Sequence, residues 1–201
     1  MNFLNVKIAT PRLLLLPISM KYKEEIFLEF SAEITKYVYP RSPTNISETE
    51  AFINDSIAGI KNATDLGLVI LNKDNQDFLG CAGIHGSKRK DPELGIWLKK
   101  AAHGHKYGPE AITAIKNWAE QNLDYNYLRY PVDKANIASR KIPEALGGNV
   151  VDEYDKINMS GNILHIIEYR IYKLLYNNKR VRLSPDYIIC NIYSCRALIL
   201  L

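Results

Sequence analysis

Two rhythms of apolar residues alternate along the chain. Short continuous apolar runs between turn residues predict strands, and apolar residues three and four apart predict helices. Residues 12–18 read as a first strand. Residues 19–30 follow with Ile26, Phe27 and Phe30 at helical spacing and Ser19 placed to cap them. A polar loop with Tyr37, Tyr39, Pro40 and Pro43 leads to Ser47 and Glu50, the spacing of a capping box. The helix it opens runs to about Ile60, with Phe52, Ile53, Ile57 and Ile60 on one face. Residues 66–71 and 78–85 are strand-like and form a hairpin about the intervening NKDNQ. A second turn, residues 86–92, precedes the strand 93–98.

The stretch 93–111, ELGIWLKKAAHGHKYGPEA, carries most of the information. An apolar strand runs into a glycine-punctuated loop, which opens directly into a helix over residues 107–122 marked by Ala111, Ile112, Ile115, Trp118 and Ala119. A loop of this kind gathers unpaired backbone N–H groups at the positive end of a helix dipole, a setting suited to phosphate. The expected ligand is therefore a phosphorylated cofactor. No G-x-x-x-x-G-K-[ST] is present, and no G-x-G-x-x-G follows the strand, so neither a P-loop nor a dinucleotide fold is indicated. Beyond that helix, residues 127–132 read as a strand and residues 136–146 as a helix closed by Gly147, with Pro143 inside it. Residues 150–154 and 163–172 read as a final hairpin around Ser160, Gly161 and Asn162. The order predicts a single α/β domain with a mixed sheet.

Composition narrows the function classes. The 201 residues are 47% hydrophobic and 24% charged, the balance of an ordinary globular protein, and suffice for one domain with a sizeable core. A net charge of +4 is mildly basic, and Lys88, Arg89 and Lys90 form the only tight basic cluster before the C-terminal segment, so nucleic-acid binding is not expected. No signal peptide or membrane-length apolar run is evident, and the cytoplasm is the expected compartment. Cys81, Cys190 and Cys195 are scattered, which indicates neither a zinc site nor a disulfide framework, and no metal is expected.

Four segments together resemble the GCN5-related N-acetyltransferase (GNAT) superfamily, and within it the RimJ/RimL-like branch that acetylates ribosomal-protein N-termini. They are the opening TPRLLLLPIS, the central ELGIWL, the loop AHGHKYGPEA, and NIASRKIPEALGG at residues 136–148. The resemblance covers about residues 10–173. It implies a mostly antiparallel mixed sheet flanked by helices, with a central strand–loop–helix site for coenzyme A. The sequence departs from the family where Lys106 replaces a second small loop residue, Ala101 replaces Gln or Arg, and Pro143 stands where many members carry a tyrosine as thiol acid. Gly108 could supply some of the flexibility that Lys106 removes.

The resemblance implies that His103, Gly104, His105, Lys106, Tyr107 and Gly108 hold the pyrophosphate of acetyl-CoA. The backbone of Ile96, Trp97 and Leu98 would pair with its pantetheine arm. Asn136 would bond that arm, and Ser139 would sit near the sulfur as donor to the leaving thiolate. Asn136 is equally a good N-cap residue. Glu93 is the first candidate base for the amine and His85, on the acceptor side, the second. Tyr37, Tyr39 and Arg41 are candidate acceptor contacts. The implied activity is acetyl transfer to a primary amine, a protein N-terminus or a small molecule, with a non-catalytic acyl-CoA-binding or interaction module as the alternative. A homodimer stays open. The domain is expected to span residues 1–173. Residues 174–201, basic and then apolar, have no family counterpart and form an extension of unknown role.

Overall fold

A computed structural model describes residues 2–173, 175–177 and 180–182. Its main body is one eight-stranded sheet in the order β1-β2-β3-β4-β5-β6-β8-β7. The strands are β1 (Ile8–Ala9), β2 (Leu13–Pro17), β3 (Asp65–Asn72), β4 (Phe78–His85), β5 (Glu93–Leu98), β6 (Tyr127–Asp133), β7 (Asn149–Ile157) and β8 (Ile163–Tyr172). The helices are α1 (Lys23–Glu29), α2 (Ile46–Asn62), α3 (Tyr107–Asn122) and α4 (Ile137–Ala145). Every pairing in this sheet is antiparallel except that of β5 with β6, which is parallel. The mixed, mostly antiparallel α/β architecture expected from the sequence is therefore present. A separate short antiparallel pair, β9 (Leu175–Asn177) with β10 (Arg180–Arg182), follows β8. The remainder of the C-terminal extension lies outside the described residues.

The core follows from strands buried on both faces. β4 is buried from Phe78 to Ile84, and β3 places Leu66, Leu68, Val69 and Ile70 out of solvent entirely. α2 packs on β3 from one side, while α3 lies against β5, β4 and β2 from the other through Ala111, Ile112, Ile115 and Ala119. α4 rests on β6 and β8, beside α3. The face opposite α4, over β5 to β8, has no helix packed on it among the described residues.

Several predicted boundaries shift for local reasons. The cap of α2 is Asn45, whose extended backbone lets its Oδ1 accept from the Glu48 amide at 3.2 Å, rather than Ser47. Glu48 stands three residues beyond Asn45, so the capping-box spacing occurs two residues earlier than expected. Glu50 instead pairs with Lys23 of α1 at 2.9 Å. Ser19 makes no side-chain cap bond. It starts a 3-10 turn, Met20–Tyr22, that runs on into α1. β7 is longer than expected, and the two-residue β1 has no counterpart in the sequence reading.

β4 carries the device that seats β5. At Gly80 the backbone has φ +153°, and a Cβ there would lie 2.2 Å from the Trp97 carbonyl oxygen of β5. No rotamer change relieves a clash with backbone, so only glycine allows this strand approach. Gly80→Ala should lower unfolding free energy by about 2 kcal/mol or more, read as a drop in urea midpoint at unchanged slope.

Candidate active site

β5 and β6 meet and then part. Register pairing is confined to Glu93 opposite Arg129, supported by the Arg129 amide donating to the Pro92 carbonyl at 2.9 Å. Beyond that point β5 stays bonded only to β4, where Trp97 lies opposite Cys81 and Leu98 opposite Gly80. Strand alternation then turns the backbone groups of Ile96 and Leu98 towards the gap. The Leu98 carbonyl is reached by His103 Nε2 at 3.0 Å. Trp97 points to the other face and packs on Phe30, with ring centroids 4.9 Å apart, and on Phe78. Of the three predicted pantetheine contacts, Ile96 and Leu98 thus turn their backbone to the gap, and Trp97 turns its own towards β4.

The loop after β5 closes one end of the gap. A 3-10 turn, Lys100–Ala102, uses the His103 amide, which donates to the Lys100 carbonyl at 3.1 Å. The amides of Gly104, His105, Lys106, Tyr107 and Gly108 donate no well-formed backbone hydrogen bond among the described residues. They stand at the N-terminus of the 16-residue α3, where the dipole favours an anion. Gly104 has φ +82° and nothing within 4 Å of the place a Cβ would take, so the loop's surface is open there. Lys106 has φ +60° and is left-handed, which explains why a small residue is the family's usual choice at this position. Gly108 lies inside α3 and is not a source of loop flexibility. A Cβ on it would meet Ile142 of α4 at 3.3 Å, which lets α3, α4 and β5 approach closely.

A surface ion-pair cluster holds this loop. Arg12 donates through Nε to Glu110 Oε2 at 2.7 Å and through Nη1 to the His105 carbonyl at 3.0 Å, and it lies over the Tyr107 ring. Thr10 Oγ1 donates to Glu110 Oε1 at 2.5 Å. Turning the His105 carbonyl to Arg12 leaves the neighbouring amides directed away from it. Burial pushes the Glu110 carboxyl up, but the bonds from Thr10 and Arg12 outweigh it and leave the group below its ordinary value.

At the other side of the gap, Asn136 caps α4 by accepting from the Ser139 amide at 3.2 Å. Ser139 Oγ lies 2.9 Å from the hydroxyl of Tyr130, a β6 residue not singled out from sequence. Burial pushes the Tyr130 hydroxyl up to about 12.

The uncovered face of the sheet carries the acceptor-side candidates. Asp65, His85, Glu93 and Arg129 stand in one row across β3, β4, β5 and β6. His85 Nδ1 is 3.6 Å from Asp65, and its ring leans over Gly95. Arg129 bonds Glu168 of β8 at 2.5 Å and stands 3.6 Å from Glu93, so Glu93 lies beyond direct hydrogen-bond reach of that guanidinium. Glu168 and Arg129 were not singled out from sequence. Cys81 is buried and its thiol is pushed up by that burial, which leaves no reactive thiolate here.

The loop before α2 reaches across this face to the β7–β8 hairpin. The Met159 amide donates to the Tyr39 carbonyl at 3.0 Å, and Lys156 sits 4.1 Å above the Tyr39 ring. Arg41 is engaged by Glu48, with Nη1 3.0 Å from Oε2, and by the Ser42 carbonyl. Tyr37 has Lys36 over its ring at 5.0 Å. The loop expected to contact the acceptor thus lies against the β7–β8 hairpin, and Arg41 and Tyr39 already hold partners within the protein.

The family model described as "Acetyltransferase (GNAT) domain" matches residues 12–149, and the chain belongs to that family. It is accordingly an N-acetyltransferase that depends on acetyl-CoA. A structure assigned as a ribosomal-protein-serine acetyltransferase from Vibrio cholerae superposes with a TM-score of 0.71 at 21% identity, covering 86% of this chain and 99% of that one. Spermidine N-acetyltransferase from Vibrio cholerae, in complex with CoA and spermine, gives 0.71 at 14% identity, covering 82% and 97%. RimL, a ribosomal L7/L12 alpha-N-protein acetyltransferase in its apo form, gives 0.71 at 14% identity, covering 83% and 94%. No curated protein matches the sequence. Among the described residues no helix is long and apolar enough to cross a membrane, and no His, Cys, Asp and Glu group is suited to a metal ion.

Glu110 gives a pH test of the loop's support. A carboxylate lowered in the folded state adds stability above its ordinary value of 4.5, and that stability is lost as pH falls through the lowered folded value. Glu110→Gln should cost about 1–3 kcal/mol at pH 7. Urea titrations should show the gap between wild type and variant closing as pH drops below about 4.

Proposed function

We propose that this chain acetylates a primary amine at the β5–β6 gap, with a protein N-terminal amine as the leading acceptor. The observation that supports cofactor placement is the run of uncommitted amides, Gly104 to Gly108, beside the unpaired edge of β5. Gly104 to Gly108 hold the pyrophosphate by backbone donors, with Lys106 adding charge, while the His103 amide, expected among them, is taken by the Lys100 carbonyl. Ile96 and Leu98 offer main-chain partners to the amide-rich arm. Asn136 and Ser139 flank the sulfur. Acetyl-CoA, when bound, supplies an acetyl group activated as a thioester.

The amine arrives from the uncovered face as an ammonium and must lose a proton before it attacks. Glu93 takes that proton, directly or through a water, and His85 is the next candidate. The amine nitrogen then bonds the acetyl carbon, the carbon–sulfur bond breaks with its electron pair going to sulfur, and the thiolate takes up the second proton that the nitrogen loses on becoming an amide. One proton is released overall. Ser139 donates a hydrogen bond to the departing sulfur. The enzyme's further contribution is holding the two reactants in line.

A small polyamine is the second reading. Glu93 on the uncovered face and Asp65 at its border, both half-exposed, suit an acceptor with more than one positive charge. Residues 1–173 are proposed to suffice for the activity.

Acetyl-CoA should raise the melting temperature by mass action. Thiol release from acetyl-CoA, followed over a panel of peptides, polyamines and small amines, should show turnover with at least one class. Thermal stabilisation without turnover for any amine would favour the acyl-CoA-binding module instead. Glu93→Gln should lower the rate by about 10²-fold at neutral pH and abolish the acidic limb of the pH–rate profile, with acetyl-CoA affinity unchanged. Full activity with an unaltered limb would remove Glu93 from the mechanism.

A further inference from the structure

α4 is docked on the sheet by two tyrosines that lie side by side across β6 and β8. Tyr130 and Tyr169 face each other in register, and each sends its hydroxyl to the helix. Their partners differ. Tyr169 bonds Glu144 at 2.8 Å and receives Arg140 at 3.4 Å, so it is tied into a charged anchor near the helix's end. Tyr130 reaches Ser139 in the first turn. The Ser139 hydroxyl has no capping duty, because Asn136 caps the helix through the Ser139 amide. The helix thus has a mechanical anchor at Tyr169, and the Tyr130–Ser139 contact is not needed as a second one.

Its position suggests a different use. Arg129 is the β6 residue that still pairs with β5, and Tyr130 is the first beyond it, at the point where the gap opens. Tyr130 is 3% exposed, so its hydroxyl has little access to water and keeps its proton. A phenol that donates to Oγ leaves the serine's own hydrogen to point elsewhere. Chained donors also polarise one another, which strengthens the outer bond.

We propose that Tyr130 is a positioning residue that donates to Ser139 Oγ and so turns the serine hydrogen towards the departing sulfur of coenzyme A. The inference rests on the reading of Ser139 as donor to that sulfur. No atom of Tyr130 enters the bond changes. The carbon–nitrogen bond forms, the carbon–sulfur bond breaks, and Ser139 steadies the negative charge on sulfur through the bond that Tyr130 orients. The residue standing where many relatives have a tyrosine is Pro143, so in this chain a phenol reaches the sulfur's neighbourhood from the strand side, through the serine.

A double-mutant cycle on the full chain tests this. Ser139→Ala should lower kcat by about 10-fold or more, with acetyl-CoA still raising the melting temperature. Tyr130→Phe should lower kcat about 3- to 10-fold, leave KM for acetyl-CoA unchanged, and have no further effect in the Ser139→Ala background. A merely structural tyrosine would act alike in both backgrounds and raise KM, and either result overturns the proposal. A fluorotyrosine placed at position 130, which keeps the hydroxyl and the shape, should retain the rate, and its loss would also overturn it. This second variant decides the matter if Tyr130→Phe does not fold. A silent Ser139→Ala with intact turnover would remove the premise, and the proposal with it, while leaving the cofactor site standing.

Discussion

The site depends on one interrupted pairing. β5 and β6 are neighbours in the sheet, yet they share a single register pair, Glu93 with Arg129, before they separate. Backbone donors and acceptors beyond that pair need partners, because a main-chain polar group without one is costly. Within the protein His103 satisfies one of them, the Leu98 carbonyl. The others form an edge that suits an extended, amide-rich arm. The same separation lets α3 and α4 close on each other over the gap, where Gly108 admits Ile142.

Charge is arranged differently on the two sides of the sheet. At the loop, the carboxylate in the first turn of α3, Glu110, is occupied by Arg12 and Thr10, which offsets its charge at the helix N-terminus. Across the other side, the register row sets the acids Asp65 and Glu93 among His85, Arg129 and Arg170, and Glu168 pairs with Arg129. Glu93 is half-exposed in that row and lies 3.6 Å from Arg129, so its carboxylate is the less firmly held of the two acids beside that guanidinium.

Much of this could be read from the chain. The strand–loop–helix at 93–122 stood out because apolar period and glycine position agree there, and α3 and β5 fall at the expected residues. Asn136 as the cap of α4 was legible from its place before a helical run. What could not be read were relations between distant segments. The parting of β5 and β6 involves strands some thirty residues apart and leaves no local mark. Tyr130 sits within an apolar run and looks like core, and it is core in burial while its hydroxyl alone reaches Ser139. Arg129 and Glu168 become partners only when β6 and β8 pair. Arg41, exposed by sequence and apt for an acceptor, spends its guanidinium on Glu48 because the α2 cap brings that carboxylate to it.

Amide hydrogen exchange with and without acetyl-CoA tests the central claim most directly, because it reads the proposed donors one by one. Protection should appear at Gly104, His105, Lys106, Tyr107 and Gly108 and at Ile96 and Leu98, with Trp97, whose backbone faces β4, little changed. Binding without slowed exchange in the 104–108 loop, or with protection confined to another part of the sheet, would contradict the assignment of the β5–β6 gap as the coenzyme A site.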